Sequence, residues 1–305
     1  MPKIALVTDS TCDLAEAEQS KHGPIMVPLH FSLGGASYLD RADMDSETFY
    51  RRFREAGQVA QSSQPSVGEF VNVYTNLLAS HDSVISVHIS CRLSGTVQAA
   101  SLAADTVDPA RVRVVDSRHV SVGLGLVVQA AGEAIFAGED LDSVAAAAEA
   151  AARGTRVYGA LPELEVAVKG GRVSAPAARL AGLIELKPLI IFDEEGGTHV
   201  DGARLGYRRA LRAVAARVAR FASGSPVRIA IVHADGLEAA QYVRERLLSL
   251  LRGAGIPILQ AGAVITTHVG LGTVAVAVQR LQLPAPPSIR ASEVLPEAAG
   301  CSRET

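Results

Sequence analysis

Lys3-Ile4-Ala5-Leu6-Val7-Thr8 runs directly into Asp9-Ser10-Thr11, an apolar stretch of strand length that ends in a polar loop. A run without alternation marks a strand buried on both faces, the usual condition in a parallel sheet. The pattern returns downstream. Val84 to Ile89 leads into Ser90 and a helix near Ser94, and Arg113-Val114-Val115 leads into Asp116-Ser117 and a helix from Val122 to Gly138. Val227 to Val232 leads into His233-Ala234-Asp235-Gly236 and a helix from Leu237 to Arg252. Strand, polar loop and helix in this repeating order predict α/β architecture with a parallel sheet. Ligands of such sheets gather beyond the carboxyl ends of the strands, which is where these polar residues fall.

At 305 residues the chain is long for one domain, so two are expected. An Ala-rich helix, Ala145 to Arg153, closes the first half, and the texture changes after Arg156-Val157-Tyr158-Gly159. Residues 161 to 185 read as two short helices around Lys169-Gly170-Gly171-Arg172. Leu186 to Phe192, a turn at Glu194-Glu195-Gly196-Gly197, and Thr198 to Leu205 read as a hairpin, followed by a helix from Arg208 to Ala222. Gly272 to Val278 alternates Val and Ala with a period of two and is read as the last strand. The expected organisation is an N-terminal parallel-sheet α/β/α sandwich over 1–160 and a C-terminal α+β domain over 161–287. A loose tail over 288–305 follows Pro284-Ala285-Pro286-Pro287.

A net charge of −3 and a pI near 6.3 provide no general attraction to nucleic acid. The pairs Arg51-Arg52 and Arg208-Arg209 sit in helical stretches and read as solvated faces. Cys12, Cys91 and Cys301 are too few and too scattered for a disulfide framework or a zinc site. The apolar approach to Cys91 predicts a buried, inert thiol. The most apolar stretch, Gly262 to Val278, is shorter than the ~20 residues of a membrane span. No signal peptide is evident, so a cytoplasmic protein is expected, without stable membrane insertion and with at most transient membrane contact.

Several motifs carry candidate chemistry. In Thr8-Asp9-Ser10-Thr11-Cys12-Asp13, helix capping accounts for Ser10, Thr11 and Asp13, while Asp9 is placed to hold neighbouring loops. Ser66 with Glu69 forms a capping box, which leaves Ser62, Ser63 and Gln64 unexplained, extended before Pro65 at a helix start suited to an anion. Ser94-Gly95-Thr96 opens another helix, Gly95 permitting close approach, and it lacks the flanking glycines of a nucleophile elbow. His268 follows Thr267 and precedes the Gly270/Gly272 turn, where an imidazole can donate to a carboxylate or, near pKa 6.5, carry charge. Lys169-Gly170-Gly171-Arg172 lacks Walker spacing, and Gly123-Leu124-Gly125 lacks the third glycine of a dinucleotide fingerprint. His30, His81, His88 and His119 are isolated, so no metal enzyme is expected. Two function classes remain: a binding module for an acidic headgroup with an apolar tail, and a serine hydrolase using Ser94 or Ser62 with His268 as base.

Taken as a set, Val7-Thr8-Asp9-Ser10-Thr11-Cys12-Asp13-Leu14, Ser63-Gln64-Pro65-Ser66, Leu93-Ser94-Gly95-Thr96, Val115-Asp116-Ser117, Lys169-Gly170-Gly171-Arg172 and Thr267-His268-Val269-Gly270 resemble the DegV family. These are the fatty-acid-binding proteins of bacterial fatty acid kinase systems. The resemblance spans nearly all of residues 3 to 283. It implies two α/β domains enclosing one long-chain fatty acid, its carboxylate held by Ser62, Ser94 and His268, with Ser63, Gly95 and Thr267 in support. It implies no cofactor and no catalysis by the chain itself. A separate ATP-dependent fatty acid kinase makes acyl phosphate for phospholipid synthesis, docking in part through arginines that Arg172 and Arg204 match. Two positions depart from the pattern: Ser62 stands where members commonly carry Thr, and Leu271 where the glycine turn usually has proline.

Overall fold

The computed structural model describes residues 2–57, 59–163, 165–172, 185–251 and 255–281. The second short helix read between 161 and 185 falls largely outside them, as do the Pro-rich end and the tail. The first half contains β1 (Ile4–Asp9), α1 (Glu16–His22), β2 (Ile25–Val27), β3 (His30–Leu33), β4 (Ala36–Leu39), α2 (Ser46–Glu55) and β5 (Ala60–Ser63). It continues with α3 (Val67–Leu78), β6 (Ser83–His88), α4 (Thr96–Val107), β7 (Val112–Asp116), α5 (Val122–Phe136) and α6 (Leu141–Gly154). Next come β8 (Thr155–Ala160), α7 (Glu165–Lys169), β9 (Leu186–Phe192), β10 (Thr198–Leu205), α8 (Tyr207–Ala222) and β11 (Val227–His233). The last elements are α9 (Leu237–Leu250), β12 (Ile258–Gln260), α10 (Ala263–Val269) and β13 (Val274–Arg280).

The fold is α/β, with a parallel N-terminal sheet of order β2-β1-β6-β7 and a mixed C-terminal sheet. Every residue of β1 is buried, and its alternate side chains serve two cores. Ala5 and Val7 pack with Phe70 and Tyr74 of α3 and the alanines of α4. Ile4 and Leu6 pack with Leu124 and Val127 of α5 and Val144 of α6. That double burial is why the opening segment reads as continuously apolar.

The second sheet has the order β10-β9-β8-β13-β11-β12, parallel only between β11 and β12. The fourth strand–loop–helix unit, around Val227, therefore belongs to this mixed sheet and not to the parallel one. Strand β8, residues 155 to 160, also lies within it, between β9 and β13. On β13 the period of two is literal: Val274, Val276 and Val278 face α8 and α9, and Ala277 faces the opposite way toward α5. A third sheet, β4-β3-β5, is antiparallel and packs Phe31 and Leu33 against Phe49 and Phe53 of α2 and Val264 of α10.

Helix α5 lies between the two larger sheets, with Leu124 and Val127 turned to one and Val122 and Leu126 to the other. Its glycines allow this approach. A Cβ at Gly123 would fall 2.8 Å from Val157 of β8, and one at Gly125 only 2.3 Å from the Asp13 carbonyl oxygen. These glycines serve helix packing.

Gly125→Ala adds up to about 1 kcal/mol of helix preference, yet the new methyl meets fixed backbone. The variant should unfold at lower urea concentration than the parent; an equal or higher midpoint would contradict this packing role.

Candidate functional site

Between α5, α10 and the inner face of the six-stranded sheet lies a cavity of about 1080 Å³ of empty space, its open mouth included. Its walls are mostly apolar: Ile89, Val122, Val157, Phe192, Val232 and Ile265 come from six different elements or the loops that follow them. Ligand pockets commonly set a few placed polar groups among apolar walls. Ser62, Ser63, Gln64, Ser94, Arg172 and His268 supply polar groups here.

Ser62 and His268, 206 positions apart, meet directly. Ser62 Oγ on β5 stands 2.7 Å from His268 Nε2 in the last turn of α10. In the Nε2–H tautomer the imidazole donates to the serine oxygen, which leaves the hydroxyl proton free for an acceptor in the cavity. Nδ1 has no hydrogen-bond partner among the described residues and lies against Gly170, where a Cβ would come within 2.9 Å. Burial, and next the Arg172 guanidinium, push the His268 pKa down to about 4. The ring is therefore neutral at neutral pH, contrary to the charged option open in the sequence. Gly270 ends α10 at φ 79°, a left-handed conformation that favours glycine.

Ser94 lines the same cavity from the loop between β6 and α4, its hydroxyl 2.8 Å from that of Thr96. The close approach expected at Gly95 is made by Gln64: a Cβ on Gly95 would lie 2.8 Å from its Nε2. Ser63 also lines the wall. Thr267 does not; its hydroxyl donates to the Ala263 carbonyl at 2.9 Å within α10. Arg172 lies at the cavity, with Nη1 donating to Gly170 O at 2.8 Å, whereas Arg204 is exposed on β10, away from it.

Two buried networks hold these loops. Asp9 accepts from Ile89 N at 2.9 Å and from His88 Nδ1 at 3.0 Å, and also from the Thr11 amide and hydroxyl. Ser86 connects His88 Nε2 to the Tyr74 hydroxyl, at 2.7 and 2.8 Å. The loop after β6, which carries Ser94, is thereby fixed to the loop after β1. In the second network Asp40 accepts from Ala263 N at 3.0 Å and so starts α10, the helix of His268. Arg41 beside it donates to Ser10 O at 2.9 Å and pairs with Asp13.

These contacts revise the capping account of the Thr8–Asp13 loop. Helix α1 starts only at Glu16 and has no side-chain cap; Ser10 Oγ accepts from Leu29 N, and Asp13 accepts from Ser121 and Arg41. The capping box of Ser66 and Glu69 is present as read. Cys91 is exposed and not buried, and a hydrogen bond to Asp116 raises its pKa, which disfavours the thiolate. Among the described residues no helix is long and apolar enough to cross a membrane.

Comparison with known proteins agrees with this architecture. The family model described as "Uncharacterised protein, DegV family" matches residues 3–281. A DegV domain-containing protein of Deinococcus radiodurans is 34% identical over 280 residues, covering 91% of this chain and 99% of its own. The solved structure of a DegV family protein from Thermus thermophilus, described by its fatty acid binding, superimposes with a TM-score of 0.84 at 34% identity, over 92% of this chain and 100% of that one. DegV from Bacillus subtilis, described as a fatty acid binding protein, gives a TM-score of 0.82 at 28% identity over 92% and 100%.

The sign of the His268 effect on stability follows from its depressed pKa. Between the ordinary 6.5 and about 4 the unfolded chain binds a proton that the folded chain refuses, so stability falls as pH falls through that window. His119, also lowered to about 4 by burial, acts in the same direction and remains in the variant. In ligand-free protein, His268→Gln should shrink the stability difference between pH 7 and pH 4.5 by roughly 1–3 kcal/mol in urea titrations. An unchanged difference would contradict the buried, neutral imidazole.

Proposed function

Because the chain belongs to the DegV family, we propose that it binds one long-chain fatty acid and presents it to a separate ATP-dependent fatty acid kinase. The observation that carries this reading is the apolar cavity leading inward from the Ser62–His268 pair. The acyl chain lies among Val122, Val157, Phe192 and Val232. The carboxylate is held by Ser62, Ser94 and His268: it accepts from the two serine hydroxyls, and His268 Nε2–H orients Ser62 for that bond, with Ser63 and Gly95 shaping the rim and Arg172 supplying the positive charge. Thr267 supports His268 through the helix and not by touching the ligand.

Magnitudes agree with a ligand retained through purification. Burial contributes about 0.8 kcal/mol per CH₂, so a chain of about 16 carbons gives on the order of 10 kcal/mol before the costs of ordering. Each neutral headgroup hydrogen bond adds only about 1 kcal/mol, and its main role is to avoid stranding a carboxylate. Retention thus rests on the tail, and the headgroup stays at the mouth within reach of a kinase. Exposed Arg204, together with Arg172, offers that partner a basic contact.

One observation favours a second reading. A serine hydroxyl 2.7 Å from an imidazole is the geometry of a nucleophile and its base, and Ser62–His268 has it. No carboxylate orients His268 Nδ1 among the described residues, which weighs against a triad. Covalent labelling of Ser62 by a fluorophosphonate would favour hydrolysis over binding.

Native mass spectrometry of gently purified protein should show one adduct of fatty-acid mass, and a clean unliganded spectrum would contradict the proposal. Supplied with kinase and ATP, Arg204→Ala should form less acyl phosphate while keeping the adduct. Loss of both together would remove Arg204 from docking.

A further inference from the structure

Toward the C-terminal end of α5, the His22 imidazole lies over Gly132, where a Cβ would fall 2.5 Å from the ring. Glycine at this point is what admits the ring. The His22 side chain is 1% exposed, and its Nε2 stands 3.2 Å from Glu18 Oε2, one turn earlier on α1. Both atoms are shut from solvent, yet neither forms a hydrogen bond. A carboxylate oxygen of Glu133 on α5 completes a set whose three atoms all lie within 4.8 Å of one another.

We propose that Glu18, His22 and Glu133 form a binding site for a divalent first-row metal ion of the zinc class, clamping α1 onto α5. Tetrahedral zinc holds N and O ligands at about 2.0–2.1 Å, which places neighbouring ligand atoms about 3.3 Å apart. The 3.2 Å between His22 and Glu18 is that edge. One imidazole with two carboxylates suits zinc or a similar ion over calcium or magnesium, which take oxygen donors.

Glu133 is also bound from outside: Arg228 Nη2 on β11 donates to its two oxygens at 2.7 and 3.0 Å, and Gln129 donates at 3.3 Å. Oε1 takes both the Gln129 contact and one from Arg228, while Oε2 has a single donor among the described residues and retains a lone pair, and outer partners of this kind orient metal-binding carboxylates. Two carboxylates against one guanidinium leave a net negative charge to receive a dication. A cleft lined by Glu18, Gln129 and Arg228 gives entry beside the site. The bound ion would fasten α1 and α5 to each other and, through Arg228, to the six-stranded sheet.

The test is calorimetric titration of ZnCl₂ into the full, tag-free chain after chelator treatment, with thermal unfolding followed in parallel. One equivalent should bind and raise the unfolding temperature. His22→Gln and Glu18→Gln should each weaken binding at least about tenfold and abolish the thermal shift, with fatty-acid content unchanged. A variant lacking two part-exposed His–carboxylate contacts elsewhere, His30→Gln with His199→Gln, should bind zinc as the parent does. No zinc binding by the parent, or parental affinity in either folded Glu18→Gln or folded His22→Gln, would overturn the proposal and leave a plain i,i+4 ion pair. Equal binding of Mg²⁺ would overturn the assigned metal class.

Discussion

Helix α5 has no face it can show to water along most of its length, and the architecture answers that constraint. Residues 122 to 132 are nearly all buried, including Gln129. A helix that is apolar all round has to be covered on all sides. The parallel sheet and α6 cover one side, and the inner face of the six-stranded sheet covers the other. On that second side the covering surface includes small or short side chains such as Ala234, Ala275 and Val157, so contact is incomplete and an apolar space remains. Empty apolar space forfeits dispersion contacts and excludes water. The fatty acid of the proposed function would relieve both at once.

Around the mouth the constraint is reversed: polar loops have to be buried without losing hydrogen bonds. Asp9 does this by accepting from two loops at once, and its partner His88 is linked onward through Ser86 to Tyr74. Asp40 is less comfortable. Burial raises its pKa to about 6, and one of its oxygens has no hydrogen-bond partner among the described residues. It nonetheless starts the helix that carries His268, so part of the cost of that buried charge is spent on positioning His268. Ser62 arrives from the third sheet, and the site exists only where the three sheets and α10 converge.

The strands that pack on both faces were legible in the residues, because Ile4–Thr8, Val84–Ile89 and Ile229–Val232 are short, mostly apolar runs that ask for burial on both sides. The hairpin of β9 and β10 was equally plain from its glycine turn. The third sheet was not legible: His30–Leu33 and Ala36–Leu39 are short and carry polar residues, too little pattern to separate strand from loop. Helix α10 was read through as one apolar stretch, since seven residues give barely two turns of periodicity. Ser62 and His268 were named from their turn contexts, but their contact depends on long-range packing that no local spacing encodes. Arg172 came to notice as a docking residue, and its place beside His268 at the cavity follows from the fold alone. The exposure of Cys91 was missed because the apolar run stops two residues before it, just where the chain turns outward.

The central claim concerns direction: tail inward beside α5, acid outward at Ser62 and His268. A crystal structure with hexadecanoic acid brominated at its terminal carbon would locate the tail by anomalous scattering. The account predicts a bromine peak deep among Val122, Val157 and Val232, with carboxylate density at the serine–histidine pair. A peak at the mouth, or none inside the protein, would contradict it.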